Sequence, residues 1–342
     1  MSHTQCGHYK LVFKGELHFG VRKAYDLAIS EWNTRLDRYY KTDVLFKQEA
    51  IFDEENLILS LKVHTAHSAS DKAWKHTVGI LGSMAQFAIM GKIMAWKLEN
   101  GALRESAMIE PTSDKGAAVM FRKGCILLDK GEIEEAAEAL TTVITRYEHH
   151  ALAFERRGII NYKLKNFDAA LRDFSKSIVI KPDLAPSYYG CGKVHMIKNQ
   201  WEEACAAFTQ AHQYALALES VYWLARLRKG ECLTHLERFE EAFGEVNAYL
   251  NRKFPDGDYC ASRIPKAYFI KGKALLGLGQ IDEGLDCFLA ARKEARIRKN
   301  LNPRDQKVVD RFTDPVIAGS AREALNKGLP LEAVLRAQLG EN

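Results

Sequence analysis

Residues 151–186 read ALAFERRGIINYKLKNFDAALRDFSKSIVIKPDLAP, and the side chains around Gly158 set the pattern for more than half of the chain. Phe154 lies four residues before that glycine, Phe167 nine after it, Ala170 twelve after and Phe174 sixteen after. The same arrangement recurs around Gly124, Gly192, Gly230 and Gly272, so the period is 34 residues twice, then 38 and 42. The large apolar position is Ile133, Phe167, Trp201, Phe239 and Ile281, and the small one is Ala136, Ala170, Ala204, Ala242 and Gly284. Sixteen residues on come Leu140, Phe174, Phe208, Val246 and Phe288; four before come Met120, Phe154, Tyr188, Arg226 and Tyr268, with Arg226 the single polar departure. Agreement at four independent offsets is the signature of a repeat that stacks copies of one supersecondary unit.

The physical reason is packing. A glycine and a later small residue belong where two helices approach closely, and the aromatic and aliphatic positions fill the space between neighbouring units. Pro182 stops a second helix. The pattern resembles the tetratricopeptide repeat over about residues 117–298. The resemblance implies a mostly α fold, a right-handed helical solenoid of about five helix pairs. Two insertions lengthen the last periods. The first, in QAHQYALALESVYWLARLRKG, stays helical in composition and predicts a longer helix. The second, KFPDGDYCASRIP, has two prolines and a glycine and predicts a loop, either drift in length or a segment emerging on one face beside a ligand.

Stacked repeats line a concave surface with their first helices. Counting from the glycines, the partner-binding candidates are Phe121, Glu155, Tyr162, Tyr189, Lys193, Met196, Leu227, Glu231, Phe269 and Lys273, with Cys125, Leu128, Ile159 and Leu276 on the same face. One subclass of the family grips a C-terminal carboxylate with lysines and asparagines at set groove positions. Here those positions hold Phe121 and Cys125, then Glu155 and Ile159, so the resemblance implies no such clamp. The expected ligand is an amphipathic helix or an extended segment of another protein, and a second copy of the chain is an admissible partner. The opposing reading is that part of this lining is covered by the chain's own N-terminal or C-terminal segments.

Residues 1–110 show a different periodicity. The sequence predicts a strand over 8–17, a helix over 22–40 with a stripe of Ala24, Leu27, Ala28, Trp32, Leu36 and Tyr39, and a strand over 44–52. A turn at DEEN follows, then a strand alternating at Leu57, Leu59, Leu61 and Val63, and a helix capped by Ser70 or Asp71. A hairpin turning at Glu99-Asn100-Gly101 ends the segment. That order is close to a ferredoxin-like α+β sandwich with one extra strand. The domains are thus expected as an α+β domain over 1–110, the solenoid over 111–300 and capping helices over 301–342, anchored by Ala321, Leu325, Leu329, Val334, Leu335 and Leu339.

The composition fits an interaction module better than an enzyme. With 342 residues, 47% hydrophobic and 27% charged, the chain can bury sizeable cores, and its net charge of +5 is too slight to imply a nucleic-acid partner. Residues 291–311 carry eight basic against three acidic side chains, which reads as a solvated helix face. Seven cysteines without a CxxC pair suggest neither zinc nor a disulfide framework, and with no secretory start they predict a cytoplasmic setting. The most apolar run, 78–94, is broken by Gly82, Gln86, Gly91 and Lys92, so no membrane insertion is expected. No phosphate-binding glycine loop, HExxH or GxSxG is present, and no cofactor is expected. His64 and His67 read as turn residues near Asp71 and His76, and His149 and His150 as the end of a helix. The favoured function is a non-enzymatic scaffold. The alternative is an N-terminal domain that binds a small ligand or acts as an enzyme, positioned by the repeats.

Overall fold

The computed structural model describes residues 9–40, 43–112, 116–255, 257–298, 301 and 303–339; Cys6, His8 and Lys299 lie outside them. The chain divides into two units, residues 1–160 and 161–342.

In the first unit, β1 (Tyr9–His18) leads into α1 (Arg22–Arg35) and one wide helical turn, Leu36–Tyr40. Then come α2 (Gln48–Ile51), β2 (Phe52–Asp53), β3 (Ile58–Ala69), α3 (Asp71–Met84), β4 (Met90–Glu99) and β5 (Ala102–Ile109). The strands pair antiparallel in the order β2-β3-β1-β4-β5, which is the split βαβ arrangement with one further strand beside β4. The core holds Leu11, Phe13, Leu17, Trp32, Leu59, Ile80 and Ile93, all buried. Ser70 caps α3 by accepting the Ala73 N–H at 3.1 Å. Asn100 and Gly101, with φ of 50° and 79°, make the two-residue turn that matches strand twist.

Three local expectations fail here for identifiable reasons. The strand over 44–52 is a short helix followed by two paired residues, because the Leu45 N–H donates to Thr77 Oγ1 and only Phe52 and Asp53 meet β3. The α1 stripe buries Tyr25, while Leu27 and Tyr39 are exposed; the wide turn shifts the phase so that Tyr40, not Tyr39, packs on the core. In β3 the alternation ends at Leu61. Phe13 pairs with His64 and Gly15 with Leu61, so β3 carries an extra residue at this point, which turns Val63 out to solvent and brings Ala66 to the core. His64 and His67 therefore lie in a strand and not in a turn, and His64 packs edge-on against Phe46 at 4.7 Å.

Ten helices among the described residues form the repeats: α4 (Gly116–Lys130), α5 (Ile133–Arg146), α6 (Ala151–Lys163), α7 (Phe167–Ile180), α8 (Ala185–Ile197), α9 (Trp201–Tyr214), α10 (Ser220–His235), α11 (Phe239–Leu250), α12 (Ile264–Gly277) and α13 (Ile281–Arg298). They are the helix pairs of a solenoid. Each pair turns at a residue of positive φ seven after the signature glycine: Gly131, Lys165, Asn199, Glu237 and Gly279. The N–H of the next residue closes back onto the first helix, as Asn166 onto the Asn161 carbonyl at 2.8 Å and Gln200 onto the His195 carbonyl at 2.9 Å. This six-to-one bond satisfies an otherwise orphaned helix-end carbonyl. The glycines meet the residue sixteen places on. A Cβ on Gly192 would stand 2.7 Å from the Phe208 ring, one on Gly124 2.8 Å from Leu140 and one on Gly230 2.5 Å from Val246.

The first insertion does not make one continuous helix. α9 ends at Tyr214 and α10 begins at Ser220, ten residues before Gly230, whereas α8 begins seven before Gly192. Three of the four extra residues extend α10 and one lengthens the connection, which Glu219 pins by accepting the Leu216 N–H at 2.7 Å. The second insertion is a loop and a short helical turn, Ala261–Arg263. The buried Tyr249 hydroxyl ties it down by donating to the Cys260 carbonyl at 2.6 Å.

Beyond the pairs, α14 (Pro303–Phe312), α15 (Pro315–Asn326) and α16 (Leu331–Leu339) bury Val308, Val309, Phe312, Ala321, Val334 and Leu335 with Phe269, Leu276 and Phe288. Leu329 is exposed and contributes nothing to that cluster. Phe312, the one aromatic near the basic stretch, is buried edge-on to Phe288 at 5.5 Å, so it is not open to stack on a base.

Candidate functional site

In the second unit, α8, α10, α12 and the inserted loop converge on a hollow of about 130 Å³ lined by Tyr189, Leu224, Leu227, Arg228, Tyr259, Arg263 and Lys266. Leu224, Leu227, Arg228 and Glu231 share one face of α10 because they are three and four residues apart. Glu231 sits between two cations. One oxygen accepts from Arg228 at 2.6 Å, and the other is 2.6 Å from Lys266 Nζ, which also donates to Asp305 at 2.6 Å. Burial works against the Glu231 carboxylate, but Lys266 and Arg228 overcome it and hold its pKa well below the usual range. Burial likewise opposes the charge on Arg228, and Glu231 and the Tyr189 hydroxyl more than offset it.

Next to this cluster the Lys193 ammonium lies 3.8 Å from the centre of the Tyr162 ring. Burial, with Arg228, Arg263 and Lys163 nearby, pushes its pKa down to about 8. Arg263 lies over the Tyr259 ring at 4.7 Å and donates to that residue's hydroxyl.

Within the second unit the candidates named from the sequence do not form one surface. Tyr189 lines the hollow and Leu227 forms part of its buried floor, Glu231 bridges Arg228 and Lys266 of the lining, and Lys193 lies over Tyr162 next to Arg228 and Arg263. Met196 is half-buried against the cluster that contains Phe208. Phe269 is 5% exposed and its ring packs against Phe288 at 5.6 Å, while Lys273 is 9% exposed. Both are interior residues, because α14 to α16 contribute to the core around Phe269. In the first unit Phe121 and Glu155 are also buried. The Glu155 carboxyl is raised by that burial, with Arg156 at 3.4 Å and Lys92 opposing the rise. The residues that counting missed are Leu224, Arg228, Tyr259, Arg263 and Lys266. The helical spacing of α10 could have found the first two, and the insertion itself pointed to Tyr259 and Arg263.

His150 is a correction of another kind. It does not end a helix; its Nδ1 accepts the Ala153 N–H at 3.2 Å and caps the start of α6, and its ring lies 4.7 Å from Phe121. Burial pushes its pKa down to about 4. The unfolded ring titrates near the ordinary value of about 6.5, so the stability this group contributes is complete above that pH and is lost as pH falls toward 4. The slope is about 1.4 kcal/mol per pH unit, or about 3 kcal/mol in all. Denaturant melts at pH 7 and pH 4.5 should show that loss, and His150→Asn, which keeps a capping oxygen, should remove this part of it. An unchanged pH slope in the variant would refute the assignment.

A broader depression of about 400 Å³ runs along α5, beside Ala137, Thr141 and Thr145, and among the described residues no second element brings a group to it. Among the described residues no cluster of three or more His, Cys, Asp or Glu could hold a metal ion, and no helix is long and apolar enough to cross a membrane.

Comparison with known proteins agrees with the register. A family model described as the tetratricopeptide repeat matches residues 121–186 and 192–258. Neutrophil cytosol factor 2 of Bos taurus is 31% identical over 65 residues, 19% of this chain and 12% of that protein. Its Homo sapiens counterpart is 29% identical over 84 residues, 25% of this chain and 15% of that protein. The chain therefore spans only 12–15% of the length of these curated relatives. Among solved structures it is similar to the MamA protein, with 19% identity, a TM-score of 0.44, and coverage of 55% of this chain and 99% of that one. It is also similar to YrrB, described as a TPR protein with an unusual peptide-binding site, with 20% identity, a TM-score of 0.43, and coverage of 59% and 93%. The signature glycines, their partners sixteen residues on and the recurring turns are all in register with the family match, and residues 121–186 and 192–258 are tetratricopeptide repeats.

Proposed function

We propose that this chain is a non-enzymatic interaction scaffold that holds a segment of another protein against the first helices of its later repeats. The observation that carries the reading is the hollow itself: two tyrosines and three cations line it from α8, α10, α12 and the inserted loop, with Lys193 of α8 over Tyr162 of α6 beside them. Aromatic and arginine side chains at a concave, partly apolar site are the groups that dominate protein recognition. The α+β domain over 1–110 serves docking or self-association, and the solenoid over 111–300 carries recognition. Buried thiols such as Cys191 and Cys232, which burial keeps protonated, suit a cytoplasmic setting.

The test is affinity capture from native lysate with the full chain and with a Tyr162→Ala/Tyr259→Ala variant. Tyr259 is exposed and Tyr162 half-buried against Phe167, so helicity and melting temperature of the variant are compared with the parent, and Tyr259→Ala alone should leave both little changed. A specific partner should be retained by the parent and lost at least about tenfold by the variant, as truncating aromatic anchors costs more than about 1.4 kcal/mol. Equal retention of every partner would remove the hollow from the function.

A further inference from the structure

The charges around the hollow do not balance. Arg228 and Lys266 are answered by Glu231 and Asp305 at 2.6 Å. Lys193 and Arg263 have no carboxylate partner among the described residues: the first faces the Tyr162 ring and the second the ring and hydroxyl of Tyr259. Two cations are thus held beside two others, with half-buried Lys193 in their combined field. Burial and that field already weaken its hold on a proton. A stability optimum alone would place an apolar residue or a paired charge there, and sites that forgo stability in this way are characteristic of binding.

We propose that this hollow accepts the carboxylate side chains of an extended acidic segment in a partner protein, with Lys193 and Arg263 supplying the charge that answers them. The inference rests on the groove reading above and names its ligand chemistry. The space of about 130 Å³ accommodates an aspartate or glutamate side chain. The walls around it, Tyr189, Leu224, Leu227 and Tyr259, suit the methylene groups and apolar neighbours of such a residue, as specificity at a concave site requires. The two cations stand on different elements, α8 and the turn before α12, so they are set to meet successive acidic residues along a chain.

The experiment exposes the full chain to an array of immobilised twelve-residue peptides of randomised sequence that includes phosphoserine positions, then repeats it with Lys193→Gln, Arg263→Gln and Lys193→Arg. Retained peptides should be enriched in Asp and Glu. Each glutamine variant should weaken the best of them at least about tenfold, as loss of a charge-assisted contact does. Lys193→Arg should retain them, and Lys193→Gln should melt no lower than the parent, because it relieves repulsion. Retention of peptides with no acidic enrichment would overturn this inference and leave groove binding standing. Preference for phosphoserine over aspartate and glutamate would overturn the carboxylate assignment. Retention of no peptide above background would overturn both.

Discussion

Glu231→Ala is expected to cost about 3–5 kcal/mol of folding stability, the loss seen when one member of a buried ion cluster is removed and its partners stay. The side chain bridges Arg228 and Lys266, with both contacts at 2.6 Å. Removing it leaves two cations facing each other, with Asp305 alone to answer Lys266. Denaturant unfolding of the parent and the variant measures the difference. Replacing Glu231, Arg228 and Lys266 together by methionine should recover much of the loss, because the penalty lies in the unpaired charge and not in the missing pair. The pH dependence has a definite sign. Since the folded carboxyl is held below its ordinary value, its contribution is complete above about pH 4.5 and is lost as pH falls further. Glu231→Gln should lack that part of the acid sensitivity. A loss under 1 kcal/mol in Glu231→Ala would mean that water solvates the cluster and that the hollow is wetter than its burial suggests.

Phe208→Ala should cost a comparable amount, about 3–5 kcal/mol, as a fully buried phenyl ring is lost and a cavity remains. Gly192→Ala should cost about 1–3 kcal/mol from the opposite cause, since its Cβ would stand 2.7 Å from the same ring. The double variant is the informative one. With the ring gone the new methyl has room, so the two losses should fall short of their sum by at least about 1 kcal/mol, the coupling expected of residues in contact. Strict additivity would show that the glycine is required by its backbone and not by the ring it faces.

This pairing also explains why the repeats could be read from the sequence. A helix pair that crosses closely demands a glycine, a small residue twelve places on and a large one sixteen on, and few residue types satisfy each demand. The turns were less visible. Lys165, Asn199 and Glu237 adopt the same positive φ as Gly131 and Gly279, so the closing hydrogen bond recurs without a fixed residue to announce it. In the N-terminal domain the strand order followed from alternation, but the extra residue in β3 reversed the phase after Leu61, and no composition signal marks such a bulge. The groove was legible only in part for a different reason. Phe121, Glu155, Tyr162, Tyr189 and Phe269 hold related positions relative to their glycines, yet Tyr189 lines the hollow and Tyr162 is half-buried whereas Phe121, Glu155 and Phe269 are covered. What covers a residue is decided by distant parts of the chain, such as the C-terminal helices that share a core with Phe269. Tyr259 and Arg263 escaped because they lie outside the repeat altogether.

The tie between Tyr249 and the Cys260 carbonyl has a kinetic consequence. A loop anchored from beneath by a buried hydroxyl presents its tyrosine and arginine in one arrangement before any partner arrives. Encounter then needs no slow closure step, and little ordering of the receptor opposes association. On the proposed reading, capture by such a wall would be governed by diffusion and by the pull of its positive charge, so arrival should slow as salt is added while the lifetime of the bound state changes less. Cutting the anchor with Tyr249→Phe would reverse that balance: the wall would have to be assembled around each incoming segment, and time, not reach, would become the limiting quantity.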